Sequence, residues 1–157
     1  MKTLEEITDI ENQYCGQTGN PSLGQAFTQL NERWHSDEKD KETALRLLFL
    51  VWYSCSEPNY LTGLPDLDNA PELFSELFES LGGKNTNDPE VCFVTSLMAE
   101  LFPYCIGDEK TWLSTSRELK ERCSKLQPKG FAPSYFKGRG AYGEYFAHMV
   151  SNHDKSS

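Results

Sequence analysis

The sequence predicts an all-α protein. Apolar residues recur at intervals of three and four along most of the chain, which is the spacing of one helix face. Helix-start residues precede these segments, and glycine or proline follows several of them. No segment shows the apolar–polar alternation between hairpin turns that half-buried strands have. We therefore predict an irregular bundle of about six to seven helices, with residues 1–152 as a single helical domain and 153–157 as a frayed tail.

Residues 43–55 form the most apolar segment and predict the central helix. Nearly every position from Ala44 to Tyr53 is apolar, so this helix has no polar stripe and is expected to be buried on almost all sides. A buried strand has a similar composition, but this run of good helix formers is longer than a typical strand. Acidic residues, which are favourable near a helix N-terminus, precede it: Asp37, Glu38 and Asp40.

The remaining segments have the pattern of amphipathic helices with start and stop signals. They run from Thr3 to Gly16, Ser22 to Trp34, Asn69 to Gly82, Asp88 to Pro103 and Asp108 to Gln127, and a last short helix includes Tyr142 and Met149.

Residues 56–70 predict a long ordered loop, because Pro58, Gly63 and Pro65 interrupt any regular helix. Long irregular segments of compact domains are often functional. A connector that simply packs on the core is an equally weighted alternative. Four apolar residues are expected to anchor the loop: Tyr60, Leu61, Leu64 and Leu67.

The five cysteines are widely spaced and lack the close Cys or His pairs of a zinc site. We expect reduced, mostly buried thiols, no bound metal and no cofactor. The N-terminus has no apolar signal segment, and no apolar run is long enough to span a bilayer. These features predict a cytoplasmic protein. The cysteines are Cys15, Cys55, Cys92, Cys105 and Cys123.

Charge is divided along the chain. Residues 1–109 contain 20 of the 24 acidic side chains and six of the 15 Lys and Arg, a net charge of −14. Residues 110–157 contain nine Lys and Arg and four acidic side chains, a net charge of +5. An acidic body repels nucleic acid and anionic membranes and attracts basic proteins. We therefore expect no direct nucleic-acid or membrane partner.

The glycine-rich segment KGRGAYG at 137–143 lacks the ending of a phosphate-binding loop. Its basic and aromatic residues could make three kinds of contact. They could bind single-stranded nucleic acid, which the acidic body disfavours, bind an acidic or aromatic protein partner, or contact the acidic body of the same chain. No local pattern pairs a nucleophile with a base, so catalysis has little support.

Binding to a basic protein is the function that the charges favour, because an acidic face accelerates association with such a partner. The candidate contact residues lie in the acidic cluster before the central helix, the long loop and the glycine-rich segment. They are Asp37, Glu38, Asp40, Glu42, Glu57, Tyr60, Asp66, Asp68, Lys137, Arg139 and Tyr142.

Two stretches, WYSCSEPNYLTGLP at 52–65 and YFKGRGAYGEYFAHM at 135–149, carry a resemblance. Together with the small acidic helical body, they resemble the immunity proteins of bacterial contact-dependent inhibition and other polymorphic toxin systems. The resemblance implies a cytosolic antitoxin that binds one basic cognate toxin domain, such as a nuclease, and blocks its active site without catalysis.

Two alternatives stay open. A small helical enzyme would use the 56–70 loop and the 135–149 glycine-rich turn as the walls of a cleft, which requires a polar pocket that unites Asp66 or Asp68 with Arg139 or His148. A non-catalytic adaptor module would need no such pocket. The sequence leaves the oligomeric state open.

Overall fold

The computed structural model describes residues 1–15 and 20–156, with side chains up to residue 151. These residues are all-helical, as predicted, and contain no strand. Their nine α-helices are α1 (Leu4–Cys15), α2 (Leu23–Trp34), α3 (Lys41–Ser56), α4 (Asn59–Thr62), α5 (Ala70–Ser80), α6 (Pro89–Leu101), α7 (Glu109–Leu126), α8 (Pro133–Phe136) and α9 (Gly140–Ser156).

Helices α4 and α8 account for the difference from the predicted number. Each has only four residues, too few for an apolar repeat to show in the sequence. The remaining helices correspond to the predicted segments. Helix α9 continues through residues 153–156, which the sequence assigned to a tail, and residue 157 lies outside the described residues. Two 3-10 turns, at Gly83–Asn85 and Pro103–Cys105, complete the described structure.

Helix α3 is surrounded by the rest of the protein. Every residue from Thr43 to Trp52 is buried, which agrees with the absence of a polar stripe in its sequence. Helices α2, α5 and α9 pack against it. The Asp40 carboxylate accepts a hydrogen bond of 3.3 Å from the Thr43 amide and so caps its N-terminus. After Ser56 the chain becomes extended, ahead of Pro58.

The C-terminal segment supplies an aromatic part of the core. Phe136, Tyr142 and Phe146 are fully buried. The Phe49 ring of α3 lies 6.3 Å from the Tyr142 ring and 5.8 Å from the Phe146 ring. The segment that carries the basic and aromatic residues therefore packs onto the acidic body. Helix α1 packs against α9.

Side-chain caps are only partly as predicted. Thr3 and Asp108 accept hydrogen bonds from backbone amides of the first turns that they precede. Ser22 does not cap α2: its hydroxyl donates instead to the Ile10 carbonyl at 2.7 Å. Asn69 makes no capping bond to α5.

The expectation that all the cysteines are reduced is wrong for two of them. Cys55, in the last turn of α3, and Cys105, in the turn after α6, form a disulfide across 50 residues. Sequence spacing cannot show this pairing, because the packing of distant segments creates it. By the chain-entropy model, closing a loop of this length contributes about 4 kcal/mol to the free energy of unfolding. Cys15, Cys92 and Cys123 are free thiols.

Asp88 caps α6 and also pairs with a lysine. Its Oδ1 accepts from the amides of Glu90 and Val91, and its Oδ2 lies 2.6 Å from the Lys41 ammonium. Burial raises the pKa of this carboxyl, but the Lys41 ammonium and the two amides together outweigh burial and hold the pKa below the ordinary 3.8. The ionised form therefore stabilises the fold.

We predict that Asp88→Asn, which keeps a capping side chain but removes the charge, lowers the free energy of unfolding by about 1 kcal/mol at pH 7. Because the folded-state pKa is depressed, the wild-type advantage exists above pH 3.8 and is lost as the pH falls through the lower, folded-state value. Urea unfolding at several pH values between 7 and 2 measures the gap between the two proteins. Asp9→Asn, at an exposed position of α1, is the control; a gap that persists unchanged at pH 2 would contradict the prediction.

Candidate functional site

The long loop carries its largest side chain in solvent. Tyr60 in α4 is 81% exposed, and Leu61 beside it is 49% exposed. The expectation that these two residues anchor the loop is therefore wrong. The anchors are Leu64, which is 2% exposed, and the partly buried Leu67.

Hydrogen bonds hold the loop in one conformation. The Asn59 amide nitrogen donates to the Ser54 carbonyl at 3.1 Å and to the Leu64 carbonyl at 2.9 Å. The buried Thr62 hydroxyl accepts a bond of 3.1 Å from the Leu64 amide. Because the loop is already ordered, a partner that binds it has little conformational entropy to remove.

Two glycines allow the loop to lie directly on the start of α2. Gly63 ends α4 with a φ of +81°, a conformation that favours glycine. A Cβ atom on Gly24 would collide with the Gly63 carbonyl, and one on Gly63 would collide with the Pro21 carbonyl. Backbone therefore touches backbone here.

A second exposed segment adjoins the loop through the disulfide. Tyr104, 62% exposed, immediately precedes Cys105, and Leu101, 41% exposed, ends α6. The Cα atoms of Cys55 and Cys105 are 5.6 Å apart, so the two segments meet at this bond. We call the four exposed side chains on either side of it the disulfide face: Tyr60, Leu61, Leu101 and Tyr104.

Unpaired carboxylates belong to the same loop. Asp66 and Asp68 are exposed and Glu57 is half-buried. Among the described residues, none of the three forms an ion pair. These three predicted contact residues, and Tyr60, are therefore accessible to a partner.

A pocket of about 360 Å³ extends this acidic region between α2 and α5. Glu72 and Glu76 contribute carboxylates to it, and His35 and Asn31 contribute polar groups from α2. Leu67 of the long loop forms part of its wall. Neither glutamate is among the contact residues predicted from the sequence.

The acidic cluster before α3 is divided between exposed and engaged residues. Asp37 is exposed without an ion pair in the described structure. Glu38 and Asp40 each lie 3.8 Å from the Arg33 guanidinium, and Asp40 also caps α3. Glu42 faces the other way, towards the C-terminal segment.

Arg139 binds that segment to the acidic body. Its guanidinium donates to both oxygens of Glu42 at 2.6 and 3.0 Å and to Glu90 Oε2 at 2.6 Å. The buried Glu90 also accepts hydrogen bonds from the hydroxyls of Tyr135 at 2.7 Å and Tyr142 at 2.5 Å. Each group of this charged network has partners of opposite polarity, as buried charges require.

The network changes the pKa of its members. Burial alone would lower the pKa of Arg139, but the carboxylates of Glu42 and Glu90 raise it above its ordinary value. Burial and the bond to Glu90 raise the pKa of Tyr135 to about 12. Both groups keep their protons throughout the physiological range.

Three predicted contact residues are therefore committed inside the molecule. Glu42 and Arg139 pair with each other, and Tyr142 is fully buried, so Tyr142 has no surface to offer a partner. Intramolecular contact, one of the three roles that the sequence left open for the basic-aromatic segment, is the one present. Lys137 remains exposed.

A second buried ion pair joins α1, α3 and α9. Arg46 donates to Glu11 Oε1 at 2.5 Å and to the Thr8 hydroxyl at 2.8 Å, and Glu11 Oε2 accepts from the Ala141 amide at 3.1 Å. Burial raises the pKa of Glu11, and Arg46 opposes this effect. A Cβ atom on Gly140, whose φ is +70°, would collide with this pair.

The enzyme alternative requires a cleft between the 56–70 loop and the 135–149 segment. Neither the 360 Å³ pocket nor a second one of about 240 Å³ at Trp34 and Lys39 combines the 56–70 loop with the 135–149 segment. Arg139 is occupied by Glu42 and Glu90 rather than directed at Asp66 or Asp68. In the part of the chain described, no group of three or more His, Cys, Asp or Glu could hold a metal ion. No helix of the same residues is both long and apolar enough to cross a lipid bilayer.

No protein-family model matches the chain, and no match was found among curated proteins or among solved structures.

We predict that Gly24→Ala destabilises the protein by about 1–3 kcal/mol, because the added methyl group would overlap the Gly63 carbonyl. At an open helical position the same change is neutral or stabilising. Urea unfolding measures the loss, and hydrogen exchange of residues 57–64 should accelerate. Gln25→Ala, at an exposed position of α2, is the control, and a stabilised Gly24→Ala variant would disprove the contact.

We predict that Arg139→Met lowers the free energy of unfolding by about 3–5 kcal/mol, because it leaves the buried Glu90 carboxylate without its main counter-charge. Adding Glu90→Gln should restore part of this loss, since it removes the unpaired charge. Lys137→Met, two residues away and exposed, should change stability by less than about 0.5 kcal/mol. Equal effects of the Arg139 and Lys137 variants in urea unfolding would contradict the assigned role.

Proposed function

We propose that the protein is a toxin-neutralising immunity protein that binds a basic protein domain through the disulfide face and the neighbouring carboxylates. The observation that carries this proposal is Tyr60: it is 81% exposed on a loop that hydrogen bonds and close backbone packing already hold in place. A rigid, exposed aromatic side chain is the type of residue that dominates binding energy at protein interfaces.

Charge supports a basic partner. Asp66 and Asp68 have no ion pair within the described structure, and the Arg139 guanidinium is engaged by Glu42 and Glu90. The surface near the loop therefore keeps its negative potential. Such a potential raises the rate of encounter with a basic protein by roughly ten- to a thousandfold at low salt.

The mechanism follows from this arrangement. Carboxylates of the long loop and of the Glu72–Glu76 surface accelerate the encounter, and Tyr60 and Tyr104 then pack into the partner. A nuclease fits as the partner, because a domain that binds nucleic acid carries a basic surface. Covering that surface would block its substrate.

The proposed cytoplasmic location affects the redox state of the Cys55–Cys105 disulfide. Disulfides persist in oxidising compartments and are usually transient in the cytosol. In a cytoplasmic protein Cys55 and Cys105 are therefore expected to be reduced for most of the time.

The test uses the purified product of the gene adjacent to this one in its native genome. We expect it to bind wild-type protein in titration calorimetry at 50 mM salt and to lose at least thirtyfold in affinity with Tyr60→Ala. Asp66→Asn/Asp68→Asn should slow association several-fold at 50 mM salt and have little effect at 500 mM, where charge is screened.

The charge-matched control is Glu118→Gln/Glu144→Gln, which removes two exposed carboxylates from α7 and α9 and should leave the affinity within twofold. Co-expression should also rescue cells from the adjacent product with wild-type protein and not with Tyr60→Ala. Absence of binding at 50 mM salt, or equal effects of the two carboxylate pairs, would overturn the proposal.

A further inference from the structure

The Cys55–Cys105 disulfide is an asymmetric and accessible bond. Cys55 is exposed at the end of α3, whereas Cys105 is 4% exposed in the turn after α6. A solvent thiol can therefore reach one sulfur of the pair and not the other. Accessible disulfides are the ones that take part in thiol exchange.

The bond connects the two halves of the disulfide face. Tyr104 is the neighbour of Cys105 in a three-residue 3-10 turn, and Tyr60 lies in a four-residue helix that follows Cys55 closely. The Asn59 and Thr62 bonds and the packing of Gly63 on α2 already hold the Tyr60 side. The Tyr104 turn is held by short-range backbone bonds from the Cys105 and Ile106 amides. The covalent link therefore contributes strongly to the position of Tyr104 relative to Tyr60.

The core beneath the bond has independent support. Trp52 and Ile106 are each 1% exposed, and the Trp52 ring packs 6.0 Å from the Phe102 ring. Loss of the disulfide thus leaves the hydrophobic contacts of both segments in place. Its effect is expected to be concentrated in the exposed Tyr104 and in the turn that carries it.

The three free cysteines are poorly suited to thiol exchange. Cys92 and Cys123 are buried, and burial raises the pKa of both thiols. Cys15 is exposed, but desolvation of its thiol and the nearby Glu11 and Glu144 raise its pKa to about 12, so it too is almost entirely protonated at neutral pH. Thiol exchange in the described structure is concentrated at Cys55.

We propose that the Cys55–Cys105 disulfide is a redox latch that orders the disulfide face when closed and loosens it when reduced. If the proposed function holds, the closed form binds the basic partner more tightly than the reduced form, and this consequence rests on that function. Because the ordering of Tyr104 would then have to occur on binding, we expect the reduced form to bind about tenfold more weakly.

Reduction by a dithiol opens the latch in two steps. A thiolate of the reductant attacks the exposed Cys55 sulfur, forms a mixed disulfide and releases Cys105 as a thiolate, which takes a proton from water. The second thiolate of the reductant then attacks its own sulfur in the mixed disulfide and releases Cys55 as a thiolate, which is likewise protonated. The protein gains two electrons and two protons, and the reductant leaves as a cyclic disulfide.

The first experiment uses the protein alone. Buffers with graded ratios of reduced to oxidised dithiothreitol set the redox state, and mass spectrometry of alkylated peptides reports the state of each cysteine. We expect hydrogen exchange of residues 101–106 to accelerate at least tenfold on reduction, while residues 57–64, residues 44–52 of α3 and the far-UV circular dichroism stay unchanged. Cys55→Ser/Cys105→Ser should reproduce the reduced form, and Cys15→Ser should behave as wild type.

Unchanged exchange of residues 101–106, or reduction that occurs only with global unfolding, would overturn the latch. The second experiment measures affinity for the adjacent gene product with oxidised and reduced protein. Equal affinity for the two forms would overturn control of binding. If neither form binds, the proposed function fails, and the exchange data alone decide whether the latch exists.

Discussion

The arrangement of the protein depends on the ion pairs of Arg139 with Glu42 and Glu90. These bonds hold the C-terminal segment on the acidic body, so that Phe136, Tyr142 and Phe146 can complete the core around α3. The same bonds decide which charges remain available outside. Arg139 neutralises carboxylates of the body locally, and the long loop on another part of the chain keeps its negative charge.

The helices could be predicted from the sequence because their signals are local. The spacing of apolar residues and the unbroken apolar run of α3 need no knowledge of the fold. The four-residue helices lie below the length at which such a pattern exists. Ser22 shows that tertiary contacts can override a local signal. It has the residue type and position of a helix cap, but its hydroxyl donates to the Ile10 carbonyl of the neighbouring α1 instead.

The candidate site was only partly predictable, because exposure is a tertiary property. Tyr60 and the loop aspartates could be predicted as contact residues, because they lie in a proline-rich segment of unusual length. Arg139 and Tyr142 could be placed near an acidic partner, but charge alone cannot reveal that the partner belongs to the same chain. The sequence contains one further signal that predicts a buried ion pair. Arg46 lies inside the apolar run, and a charge there requires a buried counter-charge. In the structure this counter-charge is Glu11.

The bond between Glu11 and the Ala141 amide has a consequence for the order of synthesis. These residues are 130 positions apart, so during translation α1 waits on the order of ten seconds before α9 exists. Until then Glu11 and Arg46 lack the backbone donor and the glycine turn that cover them. The nascent chain therefore completes its core only after α9 has left the ribosome.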